Sequence, residues 1–212
     1  IKVVGNNKTV TFAEGTYTDK AGIIVSAAAE ISGLTVNAAA ITDGAAVKLD
    51  SADGAILEDV TVTGAGKGIE ANGGKLTLSG TVTANGIELN NAAELDLTAA
   101  TVVFAGETEG KPTIQNNIPV GSITFNTAQH FYARAVEEVG ESYYQTGEAQ
   151  AVLADSTIKY YRDLKEALAN APDGATVTLL SDVAVKEPLT VPHAIKVVGN
   201  NKTVTFAEGT YT

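Results

Sequence analysis

Short β-prone triplets recur along this chain at a nearly fixed spacing. Each has a branched aliphatic residue in the middle, flanked mostly by Thr, and the middle residues are Val10, Val36, Val62, Val82, Val102 and Ile123. The steps between them are 26, 26, 20, 20 and 21 residues. Because side chains alternate between the two faces of a strand, we expect the aliphatic residues to form an inward column and the Thr residues to point outward.

Turn signals separate the triplets, for example Gly5-Asn6-Asn7 and Asn72-Gly73-Gly74, where Gly and Asn tolerate left-handed backbone. We therefore predict an all-β fold, a right-handed parallel β-helix (β-solenoid) in which each step is one coil stacked on its neighbours. The alternative is a tandem β-sandwich. That fold would show clean hairpin signals and no fixed column of Val.

The segment IKVVGNNKTVTFAEGTYT occurs twice, as residues 1–18 and 195–212, with no residue changed. The two copies are offset by 194 residues. This identity predicts a tandem array of near-identical units of 194 residues, in which each unit has an identical neighbour at either end.

The composition changes after residue 125, where the regular triplets stop. Seven of the twelve aromatic residues lie between positions 125 and 161. We predict β-helix coils over 1–125, an aromatic-rich junction over 126–162 and two short strands within 149–161. The junction aromatics Tyr143, Tyr144, Tyr160 and Tyr161 are expected to fill the joint between stacked blocks, and a sugar-binding platform formed with Arg134 and Arg162 is the alternative.

A short α-helix is predicted over 163–171, between the junction and the start of the next β-helix block at 172–212. Asp163 is a favourable N-cap, and Glu166 can complete a capping box. Leu164, Ala167, Leu168 and Ala171 share one face at helical spacing. Because an open solenoid end exposes unpaired strand edges, we expect this helix to cover such an end.

The stretch YYRDLKEALANAPDGATVTLLSDVAVKEPLTVPHAIKVVGNNKTVTF, residues 160–206, resembles the opening of pectin-lyase-like right-handed β-helix modules of large bacterial surface proteins. The features that it shares are an aromatic residue before a capped helix, an Asp-Gly stop, and the strands TVTLLSDV and PLTVP followed by a KTV coil. The resemblance implies a parallel β-helix, secretion, and a structural or adhesive role. Some relatives of this fold are polysaccharide lyases or hydrolases, so the fold alone does not give the function.

No candidate catalytic, cofactor-binding or metal-binding set emerges from the sequence, which contains no Cys. Glu58 and Asp59 are aligned with non-acidic residues of the other coils, so we interpret them as turn and surface residues rather than as the carboxyl pair of a glycosidase. A turn explains Asp50–Gly54 better than a calcium site does. His130 and His193 lack ligand spacing. We therefore expect no enzyme activity and no cofactor.

The charge excludes one class of partner. The net charge is −11, and removing one copy of the repeated segment, which carries +1, leaves −12 for each unit. Such a surface repels nucleic acid, and no apolar run approaches the ~20 residues of a membrane span. Our hypothesis is a structural stalk or fibre at the cell surface, outside the cell. The alternatives are an adhesin that binds surface glycans or a host, and, less favoured, a polysaccharide lyase or hydrolase.

Overall fold

The computed structural model describes residues 1–15, 17, 20–105, 113–118, 122–126, 131–136, 139–144 and 147–208. The chain is mostly β-structure, with 51% of residues in strands, and its parallel sheets stack as a β-solenoid of about 8 turns rather than as a barrel. The predicted all-β parallel solenoid is therefore confirmed.

The elements follow one another in this order along the chain. They are β1 (Lys2–Thr11), β2 (Ala21–Val25), β3 (Ala29–Asn37), β4 (Ala45–Leu49), β5 (Ala55–Glu58), β6 (Thr61–Thr63), β7 (Gly68–Ala71), β8 (Lys75–Ala84), β9 (Ile87–Leu89), β10 (Glu94–Phe104), β11 (Ile114–Asn116), β12 (Ile123–Thr124), β13 (Tyr132–Val136), β14 (Val139–Tyr144), β15 (Ala149–Val152), β16 (Ile158–Tyr161), α1 (Leu164–Asn170), β17 (Thr176–Leu179), β18 (Val183–Val185), β19 (Lys196–Val198) and β20 (Val204–Phe206).

Two compact units divide the chain, and each is described by itself. The first comprises Ile1–Gln129 and Arg134–Tyr143, and the second comprises His130–Ala133 and Tyr144–Thr212. The boundary falls within the segment predicted as a junction.

Two parallel sheets form the coils of the first unit. The first sheet has the order β1-β3-β5-β8-β10-β12, with β6 paired to β3 and β8. The second sheet runs β2-β4-β7-β9-β11 in parallel and continues through the antiparallel strand β14 to β13. Side chains alternate between buried and exposed along these strands, as in β5 and β10, so one face of each sheet supplies the core.

A corner bends the long strands of the first sheet at the same level in successive coils. Gly33, Asp59 and Gly80 all have positive φ, between 50° and 62°. The residues just before them are aligned across the sheet, because Ser32 pairs with Glu58, and Glu58 pairs in turn with Ser79. The three corner residues therefore lie at the same level of the stack. Gly and Asp adopt this left-handed backbone at little cost, which explains the residue types at the corner.

The predicted aliphatic column is in register through the first three coils. Val10 pairs with Val36, and Val36 pairs with Val62. The outward Thr column follows the same register, since Thr9 pairs with Thr35 and Thr35 with Thr61.

The predicted register is wrong between the third and fourth coils. Thr61 pairs with Thr83, a shift of two residues from the expected partner Thr81. Because the side-chain period of a strand is two, this shift keeps every residue on its predicted face. Val62, Val82 and the neighbouring Val60 are accordingly all fully buried.

The last member of the predicted column is also misplaced. Val82 pairs with Val102 as expected, but Ile123 pairs with Leu95, on the other side of the corner. The spacing of about twenty residues does not hold beyond β10, since Leu95 and Ile123 are 28 positions apart. Ile123 therefore belongs to a different inward column, and it is only half-buried.

The second unit combines a hairpin, a helix and the start of a further set of coils. β15 and β16 pair antiparallel, which confirms the two strands predicted within 149–161. β15 also pairs antiparallel with β17, and β17 pairs in parallel with β19. A separate parallel pair joins β18 to β20.

Helix α1 packs its apolar face against the core of the second unit. Leu164, Ala167, Leu168 and Ala171 are buried there with Val177 and other residues of β15 to β18. The Asp163 side chain accepts the N–H of Glu166 at 2.7 Å, which gives the helix its N-cap. No helix in the described part of the chain combines the length and the apolar character needed to cross a membrane.

Candidate functional site

The two copies of the repeated segment have the same backbone φ values at their two corner asparagines. Asn6 and Asn7 have φ values of 49° and 58°, and their counterparts Asn200 and Asn201 have values of 49° and 57°. In both copies these asparagines form the corner between two strand segments. The two copies therefore share the backbone conformation of this corner, although the first copy (residues 1–18) is one strand over Lys2–Thr11 and the second copy (residues 195–212) is two shorter strands, Lys196–Val198 and Val204–Phe206.

The first copy is paired along its downstream edge, the edge that faces strands later in the chain. Val3 pairs with Ile31 in β3, and the N–H of Phe12 donates to Asn37 O at 2.9 Å. Lys2 Nζ forms an ion pair with Glu30 Oε1 at 2.5 Å. Backbone, apolar and charged contacts thus all join this coil to β3.

The second copy is paired along its upstream edge instead. Val197 pairs with Val177 in β17, and Phe206 pairs with Val185 in β18. The N–H of Lys196 donates to Ala175 O at 3.0 Å. The same coil is therefore seen once with a partner on each side.

The opposite edge of each copy is not covered by a strand in the described part of the chain, where β1, β19 and β20 are all edge strands. Several apolar residues of these strands are exposed in consequence, although Val198 and Val204 are half-buried. Val10 is 40% exposed and Val197 48%, whereas the interior residue Val36 is fully buried. Each copy therefore has one uncovered edge with exposed apolar side chains. The other copy shows which strands pair with that same edge.

A second feature, missed by the sequence analysis, is a charged column on the outer face of the second sheet. Lys48 pairs with Glu70, Glu70 with Glu88, and Glu88 with Gln115. Lys67 lies between the acids, with Nζ 2.9 Å from Glu70 Oε2 and 3.0 Å from Glu88 Oε1. The lysine thus compensates two carboxylates that would otherwise repel each other.

The environment shifts the pKa values of two groups in this column. Burial raises the pKa of Glu70, but hydrogen bonds from Lys67 and Asn72 outweigh it and leave the pKa below its ordinary value. Burial lowers the pKa of Lys67, and its hydrogen bonds to Glu70 and Glu88 outweigh that too, so the net shift is upward. Lys67 and Glu70 are therefore both held in their charged forms.

An asparagine ladder (Asn72, Asn90 and Asn117) adjoins this column. Asn90 Nδ2 donates to Asn72 Oδ1 at 3.0 Å, and Asn117 Nδ2 donates to Asn90 Oδ1 at 2.6 Å. The three residues follow β7, β9 and β11, so the ladder joins three consecutive coils. Because its polar groups bond to one another, the geometry favours a structural role.

Two of the four predicted junction aromatics, Tyr160 and Tyr161, have side chains in the described part of the chain. Tyr161 is buried in the core of the second unit, and its hydroxyl has no hydrogen-bond partner among the described residues. Burial, together with the nearby Glu166, raises its pKa. A sugar cannot reach this ring, so the alternative that includes Tyr161 in a sugar-binding platform is wrong. Tyr160 is half-buried, and the side chains of Tyr143 and Tyr144 lie outside the described part.

The predicted capping box differs in one contact. Glu166 Oε2 accepts the N–H of Arg162 at 3.2 Å rather than that of the N-cap residue Asp163. Arg162 Nε in turn lies 2.9 Å from Asp163 Oδ2. The start of α1 is thus fixed by a small network over three residues.

Of the residues considered for chemistry, Asp53 and Asp59 lie in turns or bends, whereas Glu58 is the last residue of strand β5. Asp59 Oδ1 accepts the N–H of Thr81 at 2.8 Å, and the N–H of Asp53 donates to Ser51 Oγ at 3.1 Å. Glu58 is exposed and pairs with Ser79, a non-acidic residue, as expected from the sequence. Within the described residues, no three His, Cys, Asp or Glu side chains form a set that could hold a metal ion.

The structure describes one of the two histidines considered as ligands. His193 Nδ1 lies 3.6 Å from Asp173 Oδ1 in an exposed turn, and His130 falls outside the described residues.

No protein-family model, curated protein or solved structure matches this chain. The candidate site therefore rests on the geometry of the repeated coil.

Proposed function

We propose that the chain is a repeating unit of a structural stalk or fibre, in which β-helix coils continue from one 194-residue unit into the next. One observation carries this proposal. The same coil is paired with a parallel strand on its downstream edge in the first copy and on its upstream edge in the second. In an array every copy would have both partners.

The contacts at the two edges are compatible in a single coil. The position occupied by Val3 and Val197 would lie between the counterparts of Val177 and Ile31, all of them apolar. The position of Lys2 and Lys196 would lie between Thr176 and Glu30, which is neutral on one side and of opposite charge on the other. At these two positions neither edge places a like charge against its neighbour.

The resemblance of residues 160–206 to modules of bacterial surface proteins supports a location outside the cell. A net charge of −12 for each unit is expected to keep a long polymer soluble. Because each unit makes the same contacts as its neighbours, the array would determine the length of a fibre rather than carry out a chemical reaction.

Chains of two, three and four units test the proposal. Small-angle X-ray scattering and electron microscopy should show a longest dimension that rises by the same increment with each unit, at ~4.8 Å for each coil. A longest dimension that stays nearly constant would contradict it.

A matched pair of variants in the two-unit chain locates the effect at the junction coil. Val204→Asp places a charge where Val204 pairs with Val183 and should introduce a hinge. Lys202→Asp, at an exposed position of the same coil, should not. The same chains should neither cleave nor retain acidic and neutral polysaccharides. Cleavage would support a lyase or hydrolase, and saturable retention an adhesin.

A further inference from the structure

One half of the outer face of the first sheet carries no charged side chain. Beyond the corner, the outward positions of β3, β6, β8 and β10 flank the fully buried valines of the predicted column. These eight positions hold six threonines, one asparagine and one valine, namely Thr35, Asn37, Thr61, Thr63, Thr81, Thr83, Thr101 and Val103. We call this surface the threonine face.

The other half of the same sheet face is strongly charged. The outward residues on that side of the corner include Glu30, Glu58, Lys75, Glu94 and Asp96. At the corner itself, the carboxylate of Asp59 accepts the N–H of Thr81. In a chain whose net charge is −11, this separation of a neutral half from a charged half indicates that the threonine face fits an uncharged partner.

The threonines of this face form a two-dimensional grid. Thr35 pairs with Thr61, and Thr61 pairs in turn with Thr83, so one column of threonines crosses three strands. Thr81 pairs with Thr101 in the neighbouring column. Paired strands lie ~4.8 Å apart, and residues two positions apart along a strand are separated by ~6.7 Å. The hydroxyl groups therefore repeat along two perpendicular directions.

The hydroxyl groups of the grid are available to a ligand. Within the part of the chain that the structure describes, none of the six threonine hydroxyls forms a hydrogen bond with another protein group. Threonine is branched at Cβ, so its side chain has few rotamers to lose. A regular array of stiff side chains binds an ordered partner at a small cost in conformational entropy.

The repeat distances of the grid are close to those of ice. Water molecules in ice are bonded tetrahedrally at ~2.8 Å, which places second neighbours about 4.5 Å apart and gives a repeat of about 7.4 Å along the perpendicular axis. Each spacing of the grid differs from its counterpart in ice by about a tenth or less. Along the column from Thr35 to Thr83 the mismatch accumulates to only about 0.6 Å.

We propose that the threonine face binds ice. The hydroxyls bond to water molecules of the lattice, and the methyl groups of the threonines and of Val103 lie in the spaces between them. The preference of threonine for exposed strands does not by itself explain this surface, because the other half of the same strands carries charges. The face lies within the first unit, so the proposal does not depend on the array.

Uptake of the 212-residue chain into slowly growing ice tests the proposal. The parent chain should be concentrated in the ice, whereas a solute without an ice-binding face stays in the liquid. Thr61→Lys places a long charged side chain on the grid and should lower the fraction in the ice about tenfold, the equivalent of one or two lost hydrogen bonds. The matched control is Thr77→Lys, an outward position of β8 on the charged side of the corner, which should leave the uptake unchanged.

The shape of single ice crystals gives a second readout. Crystals grown in the parent chain or in the Thr77→Lys variant should develop flat faces that grow slowly, and crystals grown in the Thr61→Lys variant should not. Circular dichroism establishes that all three chains are folded. Exclusion of the parent chain from ice, or equal uptake of the two variants, would overturn the proposal. Retention on crystalline cellulose or chitin without uptake into ice would also overturn it, and would assign the face to a crystalline polysaccharide.

This proposal and the proposed function fail separately. Chains of linked units that lengthen by a constant increment, together with exclusion from ice, would leave the array intact and remove the ice-binding face. Uptake into ice without a constant increment would do the reverse.

Discussion

Glycine at position 80 is required by its contact with the preceding coil. Its φ is +62°, and a Cβ there would lie 2.2 Å from Asp59 Oδ1. That oxygen accepts the N–H of Thr81, so the corner of one coil is joined to the corner of the next. A side chain at this position would both strain the backbone and break the hydrogen bond.

Gly80→Ala is therefore expected to destabilise the fold by about 2–3 kcal/mol in urea unfolding. Gly73→Ala is the matched control, because a Cβ at Gly73 meets no atom within 4 Å. Its unfolding free energy should stay within about 0.5 kcal/mol of the parent chain. Equal losses from both substitutions would show that the corner contact is unimportant.

Asp96 provides a prediction about acid stability. Hydrogen bonds from Lys75 and then from Thr98 lower its pKa from 3.8 to about 2. A carboxyl group with a depressed pKa in the folded state contributes stability that is complete above its unfolded pKa and is lost as the pH falls through the folded value. The free energy of unfolding should therefore decline between about pH 4 and pH 2.

Asp96→Asn should flatten this part of the pH profile and lower the stability at pH 7. Lys75→Met removes the largest cause of the shift and keeps the contacts with Thr98, so its profile should be intermediate. Denaturant unfolding at each pH measures the free energy of unfolding of both variants. An unchanged acid slope in the Asn variant would contradict the assignment.

At the level of elements, the asparagine ladder joins β7, β9 and β11. Asn90 is its central member and bonds to Asn72, Asn117 and Glu88. Asn90→Ala should cost about 1–3 kcal/mol, because the neighbouring amides lose partners at partly buried positions.

The matched substitution for the ladder is Gln115→Ala. Gln115 is exposed and donates one hydrogen bond, to Asn117 Oδ1 at 3.1 Å. Its loss should cost less than about 1 kcal/mol. Thermal unfolding of the two variants ranks them, and the reverse order would be evidence against a stabilising ladder.

The sequence predicted the first sheet because its strands carry a regular triplet. It did not reveal the second sheet, where the outward positions 48, 70, 88 and 115 are separated by 22, 18 and 27 residues. Corner loops of unequal length remove any fixed stride there. The feature of the sequence that could have revealed the second sheet is the similarity of Ile69-Glu70-Ala71-Asn72 to Ile87-Glu88-Leu89-Asn90.

The register between neighbouring strands was harder to predict than the face of the sheet to which each side chain points. A shift of two residues between β6 and β8 leaves every side chain on the same face, so the hydrophobic pattern cannot detect it. The repeat itself was evident from the identity of residues 1–18 and 195–212. Which edge of each copy is paired depends on the strands beside it, and only the structure shows that.

At the level of the whole molecule, stability is expected to be distributed by unit. In solenoids each coil contacts mainly its neighbours, so a local defect need not spread. Leu168→Ala removes a buried side chain of α1 from the core of the second unit and should cost that unit about 2–5 kcal/mol.

Hydrogen exchange with mass spectrometry should then show faster exchange in β15 and β17 and unchanged exchange in β4 and β7. Lys165→Ala, at an exposed position of the same helix, is the control. Uniform loss of protection across both units would contradict this division.

The parallel pairing between coils has a consequence for a chain under tension. Hydrogen bonds between stacked strands point from coil to coil, so a pull along the stack opens them one coil at a time instead of shearing many at once. Val82 and Val102 are 20 residues apart and yet lie on adjacent strands. Each coil that detaches would extend from ~4.8 Å to roughly 70 Å of contour length. A stack of such coils would therefore yield gradually when stretched.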